Sequence, residues 1–128
     1  MTTHDQRSGH QLKLKAQLFC GPEIAMGPGK AALLDAIAAT GSISGAGRAL
    51  GMSYRRAWLL VDVMNRCWEA PLVETAAGGS HGGGARVTPL GMEILAAYRR
   101  LEAAIEAAGT EAQGPLSKKL APEPRQAR

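Results

Sequence analysis

The clearest pattern of apolar and polar positions in this chain lies between residues 53 and 67. Apolar side chains recur there at helical spacing, and Ser53 stands before them as a capping residue. The pattern predicts an amphipathic helix. Arg55 and Arg56 fall outside its apolar face, so we expect them to be exposed. The predicted inward face consists of Ala57, Leu60, Val61, Met64 and Cys67.

Two shorter helices are predicted before this one. The first runs from Gly29 to Thr40, and Gly41 is its expected C-terminal cap. We expect the second to be capped by Ser44 and to end near Leu50, with Ala46, Ala49 and Leu50 facing inward. Gly51 then provides the tight turn, because glycine adopts positive φ at the lowest cost. The second and third helices together form a predicted helix-turn-helix.

Period-two alternation predicts strands on either side of the helices. Leu12, Leu14, Ala16 and Leu18 alternate with polar residues and indicate a half-buried strand that ends at Gly21-Pro22, with a short helix as the alternative. Residues 72–75 and 85–87 are predicted as two strands joined by a glycine-rich loop, a wing. Thr88-Pro89 begins a last helix, and its apolar stripe has heptad-like spacing. That stripe, our predicted dimer interface, consists of Ile94, Tyr98, Leu101 and Ile105.

These elements predict a mainly α fold with a small β wing. We expect a winged helix-turn-helix with an N-terminal strand and a long C-terminal dimerisation helix over residues 11–108. Residues 1–10 and 109–128 are polar and are predicted to be a disordered N-terminus and a disordered tail.

The composition limits the kinds of binding partner that the sequence predicts. The formal net charge of +4 favours an anionic partner. Cys20 and Cys67 stand in different predicted elements with no metal-ligand spacing, so we expect reduced, structural cysteines and no metal site. No apolar run approaches a membrane span, and the N-terminus does not resemble a signal peptide. We therefore expect a cytoplasmic protein without membrane contact.

The residues with nucleic-acid chemistry cluster at the predicted helix-turn-helix and wing. In the first turn of the third helix, Arg55 and Arg56 can pair with guanine edges, and Tyr54 can contact a phosphate or a thymine methyl. A solvated basic face is the alternative. Trp58 is expected at the interior edge of this helix. The other predicted DNA contacts are backbone contacts near the capped helix ends and minor-groove contacts from the wing, made by Ser44, Arg48, Ser53, His81 and Arg86.

Several runs resemble one family. The runs 41–44, 49–58 and 64–65, with Ser53-Tyr54-Arg55-Arg56-Ala57-Trp58 at their centre, are similar to the DNA-binding half of molybdate-responsive ModE-type regulators. Leu72-Val73-Glu74 and the following glycines resemble that family's wing. The resemblance covers roughly residues 12–108 and implies a dimeric winged-helix transcription factor. Members also carry a C-terminal oxyanion-binding region of small β-barrel domains. Since only about twenty residues follow the last predicted helix, we expect the DNA-binding module without oxyanion sensing.

The predicted function is sequence-specific binding of double-stranded DNA by a homodimer that regulates transcription. The expected operator is an imperfect inverted repeat, because a two-fold dimer places two equal surfaces on the duplex. No catalytic constellation stands out, so we expect no enzyme activity and no cofactor. Two alternatives stay open: a winged-helix module for protein interaction, and a sensor of a small ligand such as an oxyanion or a metal.

Overall fold

Five helices and four short strands make up the part of the chain described by the computed structural model, residues 10–76 and 84–127. Both sheets are two-stranded, so the expectation of a mainly α chain with little β structure is confirmed. The elements in chain order are β1 (Leu18–Cys20), β2 (Glu23–Met26), α1 (Pro28–Thr40), α2 (Ile43–Ala49), α3 (Tyr54–Cys67), β3 (Val73–Thr75), β4 (Ala85–Val87), α4 (Pro89–Ala112) and α5 (Gly114–Ser117).

The N-terminal strand differs from the prediction. Residues 12–17 are not a strand, and β1 instead pairs antiparallel with β2 across the Gly21-Pro22 turn, where Gly21 has a φ of 58°. The Gly-Pro pair therefore turns a hairpin instead of ending an isolated strand. The alternating leucines have another role, because the side chains of Leu12 and Leu14 lie against Gly109 of α4.

Helix α1 forms the centre of the core, and its end follows the sequence closely. Gly41 adopts a φ of 74° and donates its N–H to the carbonyl of Ile37 at 2.8 Å, which confirms it as the C-terminal cap. Its own carbonyl accepts the N–H of Ala85 at 2.8 Å, so the helix end also anchors β4. The largest fully buried side chains on and around α1 are Met26, Leu33, Leu34, Ile37, Val61, Met64 and Leu72.

Helix α2 begins two residues earlier than predicted. Ser42, not Ser44, is its N-terminal cap, and the Ser42 hydroxyl accepts the N–H of Gly45 at 2.8 Å. Ala46 is buried as expected, whereas Ala49 and Leu50 are exposed. The inward face predicted for those two residues is wrong, because a helix of only seven residues presents a single turn to the core.

Helix α4 is longer than predicted, and the following segment is not structureless. The helix continues through Gly109 to Ala112, and α5 follows at Gly114–Ser117. The described part of the tail therefore departs from the expectation of a disordered segment from residue 109. An alanine-rich segment favours a helix because alanine has a high helix propensity, even where the neighbouring residues are polar. Leu12 and Leu14 also stabilise this end of α4 by packing on it. Within the described residues, no helix is both long and apolar enough to cross a bilayer.

Candidate nucleic-acid interface

Helices α2 and α3 approach closely through a glycine at their contact. A Cβ on Gly47 would lie 3.4 Å from the Cβ of Ala57 and 3.4 Å from the carbonyl oxygen of Met52. The carbonyl of Gly47 accepts the N–H of Met52 at 2.9 Å, and Gly51 has a φ of 70°. The turn between the helices is thus compact and fixed by the backbone, as the sequence predicts for Gly51.

The first turn of α3 projects from this support. Ser53 caps the helix, since its hydroxyl accepts the N–H of Arg56 at 3.1 Å, as predicted. Ala57, Val61 and Met64 anchor the opposite face in the core. Tyr54, 60% exposed, and the exposed Arg55 and Arg56 therefore stand together at the surface.

The basic side chains of this surface have no carboxylate partner within the described residues. Ion pairs in this part of the chain engage Arg66, Arg86 and Arg99. None engages Arg55 or Arg56. Their charges are therefore available to an external anion, without first breaking an internal pair.

Trp58 extends this surface and is more exposed than the interior edge of the helix at which it was expected. Its ring is 38% exposed and meets Tyr54 edge-to-face, with ring centroids 6.1 Å apart and planes inclined by 73°. The spacing of four residues places both rings on one face of α3. Helical spacing alone does not separate Trp58 from the apolar stripe, because an indole suits either a half-buried or a buried site. Trp68, by contrast, packs inward and donates its Nε1–H to the carbonyl of Ala25 at 3.1 Å.

Two predicted backbone contacts lie on α2. Arg48 is exposed near the end of the helix, and Ser44 is half-buried in its first turn. Since Ser42 takes the capping role, the Ser44 hydroxyl is not needed to cap the helix. Their contacts with DNA stay predictions.

The β3–β4 hairpin carries the next predicted residue. Arg86 is exposed and lies opposite Glu74 in the register. Its Nη2 is 2.8 Å from the Glu74 Oε1, and both side chains are more than half exposed. An exposed pair of this kind contributes about 0–1 kcal/mol, so Arg86 can exchange Glu74 for another anion at little cost. His81 lies outside the described residues.

Asn65 connects this hairpin to α3. Its Oδ1 accepts the N–H groups of Leu72 and Val73 at 2.9 and 3.1 Å, and its Nδ2 donates to the Val73 carbonyl at 3.0 Å. The amide thus replaces a strand partner for the start of β3 and fixes its position relative to α3. The functional prediction did not include this positioning residue. A lone Asn on the polar side of an amphipathic helix gives little sequence signal for such a role, although Asn65 is in one of the runs that resemble the ModE family.

The stripe on α4 divides into buried and accessible residues. Tyr98 is 2% exposed within its own chain, and its hydroxyl donates to the Ala16 carbonyl at 2.8 Å. Burial raises the pKa of this phenol, so it remains a donor over a wide pH range. The structure therefore places Tyr98 inside the subunit instead of on a dimer surface. Ile94 packs against the core, Ile105 is half-buried, and Leu101 is 37% exposed.

Known proteins similar to the chain confirm the resemblance at the level of ModE and Mop proteins. The chain is 50% identical over 80 residues to the molybdenum-pterin-binding protein MopB of Rhodobacter capsulatus. The matched stretch covers 62% of this chain and 30% of that protein. The chain is 48% identical over 71 residues to the molybdenum transport protein ModE of Herbaspirillum seropedicae, with 56% and 26% covered. It is 40% identical over 87 residues to the DNA-binding transcriptional dual regulator ModE of Escherichia coli (strain K12), with 68% and 31% covered.

The extent of these similarities is limited. The chain spans about three tenths of the length of the curated relatives it matches. No protein-family model matches it. The similarity therefore applies to a part of each relative. The molybdenum binding, molybdenum transport or DNA binding given in the relatives' names describes those whole proteins.

Proposed function

We propose that this chain is a winged helix-turn-helix module that binds double-stranded DNA sequence-specifically and regulates transcription. In this proposal α3 is the recognition helix, α2 supports it, and the β3–β4 hairpin is the wing. The similarity to a DNA-binding regulator from Escherichia coli supports the assignment. Binding and not catalysis is the proposed activity.

The observation that carries the proposal is the exposed first turn of α3. Tyr54, Arg55 and Arg56 project from a capped helix end that is held on the core from behind. A helix with side chains is about 10–12 Å wide, which matches a major groove about 12 Å across. Arginine at such a position can make the bidentate contact with guanine O6 and N7 that distinguishes base pairs.

The proposed wing should contribute charge without sequence preference. We expect Arg86→Ala to weaken binding to operator and unrelated duplexes by a similar factor and to reduce the salt slope by about one. Fluorescence anisotropy across a salt series measures both. Glu74→Gln is the matched variant, because it releases Arg86 and should strengthen binding to both duplexes. A loss confined to the operator would contradict a phosphate contact.

The homodimer is proposed on the distal half of α4, which its own chain covers only in part. This helix has 24 residues, about 36 Å in length, and its buried residues end at Tyr98. Beyond that point Leu101 is exposed and Ile105 half-buried, so the distal stripe lacks a full cover from its own chain. A second copy related by a two-fold axis would bury the same residues on both chains.

The dimer has a direct test. We expect Leu101→Glu to convert the dimer to a monomer, because it places a carboxylate in the proposed apolar contact. Light scattering coupled to size exclusion gives the mass. Leu59→Glu is the control, since Leu59 is also an exposed leucine but lies on α3, and it should leave the dimer intact. A monomeric wild-type chain, or an unchanged mass for Leu101→Glu, would contradict this interface.

The second candidate function is a protein-interaction module that uses the same end of the molecule. Leu101, Leu116 and Leu120 are all exposed, and a partner helix could cover them in place of a second copy. Oligomeric state and DNA binding separate the candidates: a monomeric chain that ignores duplexes at low salt supports docking, whereas a dimer that shifts DNA supports the regulator.

A further inference from the structure

Cys20 and Cys67 meet where the β1–β2 hairpin packs on the C-terminal end of α3. Cys20 is the last residue of β1, and Cys67 is the last residue of α3. Cys20 lies near enough to Cys67 to contribute to the raised pKa of the Cys67 thiol, although 47 positions separate them in the chain. Sequence spacing gave no sign of this pair, and both thiols are free.

Neighbouring contacts hold the two cysteines in place. The residue before Cys67, Arg66, has its Nη2 3.3 Å from Glu23 Oε2, and Glu23 is the register partner of Cys20. The residue after it, Trp68, donates to the Ala25 carbonyl on the same hairpin. The hairpin and the helix end are thus connected through the residues on both sides of Cys67, so these contacts hold Cys67 beside the hairpin that carries Cys20.

We propose that Cys20 and Cys67 are a modification site, a dithiol that closes to an intramolecular disulfide when it meets a peroxide. The bond would connect β1 to the end of α3. It lies beyond the proposed DNA function and does not depend on it, since α3 is about 21 Å long and the DNA-reading residues are at its other end.

The chemistry balances with hydrogen peroxide as the oxidant. Cys20 is exposed, so its thiolate attacks a peroxide oxygen; the O–O bond breaks, and with one proton the products are a sulfenic acid and water. The sulfur of Cys67 then attacks the sulfur of Cys20 and expels hydroxide, which takes the Cys67 proton to form a second water. The two thiols lose two electrons, and the peroxide gains them.

The two cysteines have different parts in this sequence. Burial, with a smaller contribution from nearby Cys20, raises the pKa of the Cys67 thiol, while Arg66 acts in the opposite direction. Glu23 and Lys30 also lie near this thiol. Cys67 is half-buried and mainly protonated, which makes it the resolving thiol, and the exposed Cys20 is the one that reacts first.

The test uses the full chain, reduced and then treated with an equivalent of hydrogen peroxide. We expect both thiols to disappear together in a thiol titration under denaturing conditions, and the intact mass to fall by two hydrogen atoms. The chain should still migrate as a monomer on a non-reducing denaturing gel. Because the bond closes a long loop that contains α1 and α2, Tm should rise by on the order of 10 °C and return on reduction.

The variants decide between outcomes. Cys20→Ser, at an exposed position, should fold normally and lose the rise in Tm, and Cys67→Ser should lose it as well. A cross-link between two chains through Cys20, or overoxidation of Cys20 while Cys67 stays a thiol, would overturn the proposal. Since no readout involves DNA, a failure here is distinguishable from a failure of the proposed regulator function.

Discussion

Replacing Arg55 or Arg56 by alanine should reduce the preference of the chain for its operator by about 5- to 150-fold for each residue. The range corresponds to about 1–3 kcal/mol of discrimination for one bidentate contact with a base. Neither arginine is paired with a carboxylate in the described part of the chain, so truncation leaves no buried charge behind. Competition anisotropy with operator and scrambled duplexes measures the preference.

Arg66→Ala is the matched control for these two variants. It removes the same charge from the same helix, but its position lies about 15 Å further along α3, and its guanidinium already pairs with Asp62 and Glu23. We expect a small, similar change on both duplexes. If Arg55→Ala and Arg56→Ala reduce the affinity for the operator and for the scrambled duplex by the same factor, as Arg66→Ala is expected to do, Arg55 and Arg56 do not contact base edges.

Asn65→Ala should cause a large loss of stability, about 3 kcal/mol in the free energy of unfolding. The change removes three hydrogen bonds and leaves the N–H groups of the buried Leu72 and Val73 without a partner. Each unsatisfied buried group costs about 1–3 kcal/mol. In a domain of this size the loss corresponds to a fall in Tm of roughly 10 °C. Thermal unfolding followed by circular dichroism measures it.

The control for this variant is Asp62→Ala on the same helix. Asp62 is exposed, and its pair with the exposed Arg66 spans one helical turn, so its removal should leave the free energy of unfolding nearly unchanged. Similar losses for the two variants would show that Asn65 does not hold the β3–β4 hairpin to α3. Unfolding of part of the Asn65→Ala sample lowers the apparent operator affinity by a factor that the folded fraction gives. A larger fall in affinity would show, in addition, that the position of the hairpin matters for binding.

Local signals predicted much of this structure, and long-range packing accounts for the rest. The caps at Gly41 and Ser53 and the turn at Gly51 each depend on one residue's conformational or hydrogen-bonding preference, so the sequence alone located them. Ser42 and Ser44 have the same capping chemistry two positions apart, so local preference did not distinguish them, and the structure places the cap at Ser42.

The errors on α4 and at the N-terminus share one physical cause. Period-two leucines predict a strand, and a heptad-like stripe predicts a helix contact, but neither pattern identifies its partner. Here the segment around Leu12 and Leu14 covers Gly109, and the Ala16 carbonyl accepts the Tyr98 hydroxyl, 82 positions away. For the same reason, the sequence pattern did not predict that Cys20 and Cys67 lie near each other. Contacts between distant residues depend on topology, which spacing along one chain does not contain.

The most direct test of the DNA assignment is selection from a random duplex library, followed by anisotropy on the recovered site at 50 and 200 mM salt. We expect an enriched inverted repeat that binds at least about 10³-fold more tightly than its scrambled sequence. With six to ten phosphate contacts, its affinity should fall on the order of 10³–10⁵-fold between the two salt concentrations. Recovery of no preferred sequence, with equal or undetectable binding to both duplexes at 50 mM salt, would contradict α3 as a recognition helix.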